Sequence, residues 1–467
     1  MNPPILGTMG SRVRVCHRHP YSAFVSSGKS LYFFQELSPN IRRFYTPNPS
    51  TRPSLVRICL RHIRRTPSQY RSLSDMAKRK LEAIDAPQVV NGAKKANVWS
   101  SPGTAASDFR SDVVTTPTAS MLQAITNTTL LDDVFAEDPT TNDLEKYLAQ
   151  RANHEAALFV LSGTMGNQLA IRSHLFQPPH SVLCDYRAHI LEWEAGGVAS
   201  LSGALVKGVV PENKVYLTLE DIKKNVILGD EIHGAPTRVI SLENTLGGTV
   251  MPLEEVRKIS AFAKEHDIRL HLDGARLWEA VVSGAGSLPD YCREFDSVSL
   301  CFSKGLGAPI GSVLVGAQKF IKHARWVRKS IGGGTRQPGV LTAAARVAVD
   351  ETFGKDDNGK DGLLEKSHVT AKRIAKNWTD MGGKLSQPTE TNMVWPDLDD
   401  VHCSGDEFVE LGKEHGLRLL AGGRLVVHYQ ISDEAVDKLE LVMKEIMKKR
   451  GQNGSAKRQK VGEREYK

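Results

Sequence analysis

Four short stretches hold residue types that could do chemistry together. The first is Leu161-Ser162-Gly163-Thr164-Met165-Gly166-Asn167, where a short apolar run meets the start of a helical pattern. Unpaired N–H groups and the helix dipole at such a turn favour a phosphate, and glycine lets the backbone approach it closely. A plain strand-to-helix turn would leave the same trace. The second is Asp273, in Leu270-His271-Leu272-Asp273-Gly274-Ala275-Arg276. An acid directly after a strand lies at the carboxyl edge of a sheet, where open α/β folds bind ligands. It could pair with a protonated ring nitrogen, or simply cap the next turn. The third is Lys304, which closes the apolar run Ser299-Leu300-Cys301-Phe302-Ser303 and precedes Gly305. Its ammonium either reaches solvent on its long stem or serves as a Schiff-base amine. The fourth is Arg328-Lys329-Ser330-Ile331-Gly332-Gly333-Gly334-Thr335-Arg336, a second anion site or a flexible loop.

The order of these stretches is more specific than any one of them. A phosphate turn comes first, then a residue to stack on a ring, then an acid after a strand. A strand-end lysine follows 31 positions beyond that acid. Pyridoxal 5'-phosphate (PLP) needs a phosphate cradle, an acid to keep its pyridine nitrogen protonated and an amine to hold it. The sequence supplies all three.

Alternating strand and helix signals must position these groups. Ala156–Leu161, Ser181–Asp185, Arg238–Glu243, Arg269–Leu272, Val298–Phe302 and Ser312–Val315 are strand-length runs. Pro252–His266 reads as a helix, with proline in its first turn, acids early and Lys and His late. Such alternation predicts an α/β fold, a largely parallel sheet covered by helices on both faces. After about Asp356 the pattern changes to helices near 363–380, 405–415 and 433–449, with short strands such as Arg424–Ile431. The expected organisation is therefore a basic extension over 1–75, a flexible leader over 76–107, a large domain over 108–355, a smaller α+β domain over 356–447 and a disordered basic tail over 448–467.

Composition narrows the function classes. Of 467 residues, 40% are hydrophobic and 24% charged, as in ordinary globular proteins, and no apolar run approaches the roughly 18 residues of a membrane span. The six cysteines (Cys16, Cys59, Cys184, Cys292, Cys301, Cys403) form no C-x-x-C pair, which argues against a disulfide framework and a structural zinc site. The net charge of +8 invites a nucleic-acid partner, but residues 1–75 alone carry +10 and the remainder sums to −2. The globular part is not basic, so nucleic acid is not an expected partner. The first 75 residues, Arg- and Ser-rich and acid-poor, have the composition of a mitochondrial transit peptide; alternatively translation starts at Met76. The compartment is accordingly cytoplasmic or mitochondrial. A nuclear-localisation patch at Lys457-Arg458-Gln459-Lys460 is the lesser alternative to a solvated tail.

From about Asp108 to Val442 the chain resembles the low-specificity L-threonine aldolases, in the β-eliminating-lyase group of fold-type I PLP enzymes. The resemblance rests on Asp108–Thr115, Asp132–Thr140, Ser162–Asn167, Ala188-His189-Ile190 with Glu194-Ala195-Gly196-Gly197, Leu242–Thr245, Asp273–Arg276, Ser303–Gly307 and Gly332–Gly339. It implies a large, mostly parallel seven-stranded domain with a smaller C-terminal domain. It implies that Lys304 holds PLP, Asp273 pairs with its pyridine nitrogen, His189 stacks on its ring, and Gly163 and Thr164 donate to its phosphate. Ser111, Arg276 and Arg424 would hold a substrate carboxylate, with Arg276 also at the coenzyme, and no metal is expected. Arg328, Lys329 or Arg336 would reach the phosphate of a neighbour in a homotetramer. The implied reaction cleaves L-threonine and L-allo-threonine to glycine and acetaldehyde, serving glycine supply or threonine breakdown, with His189 or a water beside it as base for the β-hydroxyl. β-Elimination from a serine- or cysteine-like substrate, or a PLP fold without catalysis, are the alternatives. Two positions depart from the family pattern: Val113 replaces a frequent Thr, and Leu246 stands where many bacterial relatives have His. Leucine can neither donate nor accept a hydrogen bond.

Overall fold

The apolar runs become strands because their side chains can be buried on both faces of a sheet. The computed structural model describes residues 97–462 apart from Asp230. Its strands are β1 Ala156–Val160, β2 Ser181–Asp185, β3 Leu205–Val209, β4 Thr237–Glu243, β5 Arg269–Gly274, β6 Ser297–Cys301 and β7 Ser312–Gly316. Every residue of β2, β6 and β7 is buried, which explains their unbroken apolar character. The seven strands form one sheet in the order β1-β7-β6-β5-β4-β2-β3. Only β7 runs against its neighbours, so the other strands end on a common carboxyl edge.

Helices cover the sheet, and two details fix the ones that matter. Gly163–His174 follows β1, with the Ser162 hydroxyl capping the Met165 N–H. A Cβ on Gly166 would lie 2.5 Å from Ser299 Oγ, so glycine lets this helix lie against β6. Leu253–Glu265 is the helix expected from Pro252, but Pro252 is its extended N-cap rather than part of its first turn.

The C-terminal elements are the helices Leu364–Asp380, Gly405–Glu414 and Asp433–Gly462 with a two-stranded ribbon, β8 Met393–Val394 and β9 Leu425–Val426. The strand expected over Arg424–Ile431 is thus much shorter. Its partner chain leaves it: past Asn392, whose carbonyl accepts from Val427 N, Thr391 turns to the Gly248 carbonyl. The last helix continues beyond Lys448 to Gly462, so it does not stop where the tail was expected to begin.

Of four apolar clusters among the described residues, the two largest divide the work. One surrounds the sheet, with Leu272, Val298, Leu300 and Val313 among its members. The other holds Trp378, Phe408, Leu425 and Leu439, and it includes Phe109. Phe109 N donates to Arg418 O and Val426 N to Phe109 O, so the chain around 108 packs with the C-terminal elements rather than with the large sheet domain. The described residues all belong to one compact unit. The extension over 1–75, the Met76 start and most of 76–107 lie outside the described residues. No helix among the described residues is long and apolar enough to cross a membrane.

Candidate active site

The carboxyl edge of the sheet gathers the chemistry. Asp273 ends β5 almost completely buried. Its Oδ2 accepts from Asn167 Nδ2 at 2.7 Å and its Oδ1 from Ala275 N at 3.0 Å. Asn167 also donates to Glu194 Oε1 at 2.9 Å, and its own Oδ1 meets His271 Nε2 at 3.2 Å. Burial pushes His271 down to about 4, so its ring is neutral, donating to Asn167 and accepting from Ser297 Oγ at 2.9 Å. That chain of bonds fixes which way the Asn167 amide faces. No Lys or Arg pairs with Asp273 among the described residues. A buried carboxylate without a cation is costly unless a ligand supplies one.

Lys304 stands in the turn after β6. Its carbonyl accepts from Thr115 Oγ1 at 2.8 Å and from Gly307 N at 2.9 Å. Gly307 has φ +84°, and a Cβ there would lie 2.5 Å from Tyr429 Oη, so only glycine closes this turn. The Lys304 ammonium takes part in no ion pair among the described residues. The N–H groups of Gly163 and Thr164 head the Gly163–His174 helix, where helix bonds cannot reach them. The glycine loop lies beside them, since a Cβ on Gly333 would be 2.9 Å from Met165 Cε.

Arg328 is not free for a neighbour's phosphate. Its guanidinium donates to Phe159 O at 2.7 Å and pairs with buried Asp133. Arg336, by contrast, is exposed and makes no ion pair among the described residues, and the structure does not bring it to Asp273 or Lys304 of its own chain.

His189 opens the turn after β2. Its backbone N–H donates to Glu243 Oε2 at 2.9 Å, and its Nδ1 lies 2.8 Å from Glu194 Oε1. Glu194 is fully buried and also accepts from Gln168 Nε2 at 2.5 Å. The hydrogen bond to Glu194 raises the His189 pKa above its ordinary value, favouring the imidazolium. This weakens His189 as the base for a hydroxyl proton. Donor atoms of His189, Glu194 and Asp273 lie within 4.8 Å of one another, but protein hydrogen bonds already engage all three groups. Glu243 ends β4 directly beside Asp273 in the strand register. Burial and then the Asp273 charge push its carboxyl up to about 7.

The arginines behave differently from each other. Arg276 is held at both Nε and Nη2 by Asp112, at 2.7 and 2.6 Å. That bidentate pair occupies the fork expected to grip a substrate, so Arg276 orients the site chiefly through Asp112. Arg424 makes no ion pair among the described residues. It donates from Nη2 to Arg110 O at 3.1 Å, and its buried Nε has no partner. Burial and then Arg276 lower its pKa, so it is a cation short of an anion. Ser111, between Arg110 and Asp112, accepts from Val113 N at 3.3 Å. Asn167, Glu194, Glu243 and Asp112 were not foreseen as site residues. All four lie in or beside segments that carried the resemblance, but their roles depend on contacts that spacing does not reveal.

A family model described as "Beta-eliminating lyase" matches residues 108–401. The chain is 56% identical over 371 residues to the aldolase vrtJ of Penicillium aethiopicum, covering 78% of this chain and 94% of that protein. It is 46% identical to the alanine racemase TOXG of Cochliobolus carbonum, covering 75% and 90%. It is 49% identical to the low-specificity L-threonine aldolase of Candida albicans, covering 71% and 88%.

Proposed function

This chain belongs to the beta-eliminating lyase family, and from that premise we propose that it cleaves L-threonine and L-allo-threonine to glycine and acetaldehyde. It is a fold-type I lyase that uses PLP. The donor set fits that coenzyme. Among the described residues Asp273 is a buried carboxylate without a cation, Lys304 an amine without an acid, and Gly163 and Thr164 offer N–H groups that no helix bond claims. The observation that carries the substrate reading is Arg424, a cation with an orphaned buried Nε beside this constellation. An α-carboxylate supplies what it lacks.

When bound, PLP supplies an electron sink for the pair released as the Cα–Cβ bond breaks. The rest is done by this chain. Asp273, aimed by Asn167 and the Ala275 N–H, holds a proton on the facing ring nitrogen. Gly163 and Thr164 hold the phosphate end at a helix N-terminus. Lys304 would hold the aldehyde end at its Nζ and deliver the proton that Cα gains after cleavage. Arg424 orients the substrate by its carboxylate, with Ser111 at its flank. His189, held by Glu194, covers the ring. A homotetramer is part of this reading, with Arg336 directed at a neighbour's phosphate; exposed Leu130, Leu131, Val134 and Phe135 near its loop support it.

Product analysis tests the reaction. Purified protein with PLP should form acetaldehyde and glycine in equal amounts from both threonine isomers. Pyruvate and ammonia from serine without those products would move the reading to β-elimination, and racemised alanine alone would move it toward the chemistry named for TOXG. Arg424→Lys keeps the charge but not the two-point grip. It should raise KM for L-threonine by roughly ten- to a hundredfold, the equivalent of about 1.5–3 kcal/mol for a charged hydrogen bond, while kcat falls less. An unchanged KM would remove Arg424 from the substrate.

A further inference from the structure

Leu246 can neither donate nor accept a hydrogen bond, and the structure places an acid in the same pocket. Leu246 and Glu243 line one small pocket with Asp185, Tyr216, Leu217 and Met251. Asp185 is spent on a bidentate pair with Arg187, at 2.9 and 2.8 Å. Glu243 forms no ion pair among the described residues. Its Oε2 accepts the His189 N–H at 2.9 Å, whereas no hydrogen bond from the described residues reaches its Oε1. It stands at the carboxyl end of β4, level with Asp273 on β5. It is the acid of this pocket with an oxygen to spare, on the edge where the bond must break.

We infer that Glu243 is the proton acceptor for the substrate's β-hydroxyl. The assignment rests on the aldolase reading above. Glu243 enters as a carboxylate and takes the hydroxyl proton on Oε1. The O–H pair becomes the second bond of the aldehyde and the Cα–Cβ bond breaks, leaving its electron pair at Cα, where bound PLP would stabilise it. Glu243 then loses the proton to solvent, and Cα is protonated through Lys304 to give glycine. No oxidant or further reactant is required.

The surroundings suit the task. Burial and then Asp273 on β5 disfavour the charged carboxylate, while the His189 N–H, Lys304 and the His189 ring favour it. Arg276, Arg187 and Cys184 on neighbouring elements lie close enough to respond to its charge. The balance places the carboxyl at about 7. A base poised there is ionised in much of the population at neutral pH and still binds a proton well. Activity should rise with pH through that value, since the ionised form is the working one.

Glu243→Gln separates this role from mere positioning. The amide keeps the volume and an acceptor for the His189 N–H, and loses only the titrating group. In the PLP-loaded enzyme it should lower kcat for both isomers by ~10²–10⁴-fold with KM changed little. Exchange of the glycine α-proton with deuterated solvent, which involves no hydroxyl, should stay within about twofold of wild type. The visible spectrum should be unchanged, and the acidic limb of the pH–kcat profile near neutrality should vanish. Glu243→Asp keeps an acid and should recover at least part of the rate. A Gln variant with wild-type kcat would overturn the assignment. So would parallel loss of cleavage and glycine exchange, or an Asp variant no better than Gln. A wild type that exchanges glycine yet cleaves neither isomer would overturn the aldolase reading and this assignment with it.

Discussion

Lys304→Ala should abolish the visible absorption of bound coenzyme and lower aldol cleavage by at least ~10²–10⁴-fold, the range attached to one positioned proton-transfer group. The real loss should exceed that range, because the same amine also holds the coenzyme. Stability should hardly move. The Lys304 backbone is fixed by bonds from Thr115 Oγ1 and Gly307 N to its carbonyl, which do not involve the side chain. The ammonium makes no ion pair in the described structure, so its removal strands no buried carboxylate. Spectra of both proteins, product assays and denaturant midpoints check the three parts of this expectation. A variant that kept both the absorption band and turnover would remove Lys304 from the centre of the site.

The parts of the site that sequence exposes are those built by chain neighbours. Asp273 and Lys304 are legible because one lies in the last residues of an apolar strand and the other just past one, and strand ends in a parallel sheet share one edge. The Gly163 turn is legible because a helix follows a strand without a loop. Strand β3 escaped because, unlike the other edge strand β1, it is largely uncovered, with Leu205 and Gly208 exposed, so it lacks an unbroken apolar run. The network around Asp273 escaped for another reason. Asn167 lies 106 positions away and Glu194 reaches Asp273 only through that amide. Nothing in local spacing encodes such a contact. The helix beginning at Gly163 creates it by bringing Asn167 against the end of β5.

Arg276 shows the same limit with a larger energetic consequence, because its partner Asp112 lies 164 positions away. Asp112→Asn should destabilise the protein by roughly 3–5 kcal/mol, the cost of leaving one member of a buried ion pair uncompensated. Asp112 is completely buried, and the side chain of Arg276 is only 13% exposed. The stabilisation should also depend on pH in a defined direction. Burial alone would raise the Asp112 pKa, but the Arg276 guanidinium outweighs it and holds the carboxyl at about 2. A carboxyl ordinarily titrates near 4. Its folded value is therefore depressed, so the contribution is complete above about pH 4 and is lost as pH falls through about 2. Denaturant midpoints between those pH values should fall more steeply for wild type than for Asp112→Asn, and the gap between them should close. Near neutrality the variant has a second signature. Arg276 and Arg424 already oppose each other's charge, and Asp112 is the carboxylate that offsets them. Without it, a bound amino-acid carboxylate would supply Arg424 with a replacement anion. Saturating glycine should then restore more stability to the variant than it adds to wild type. Equal stability of the two proteins at pH 7 would mean that the pair does not hold the site together.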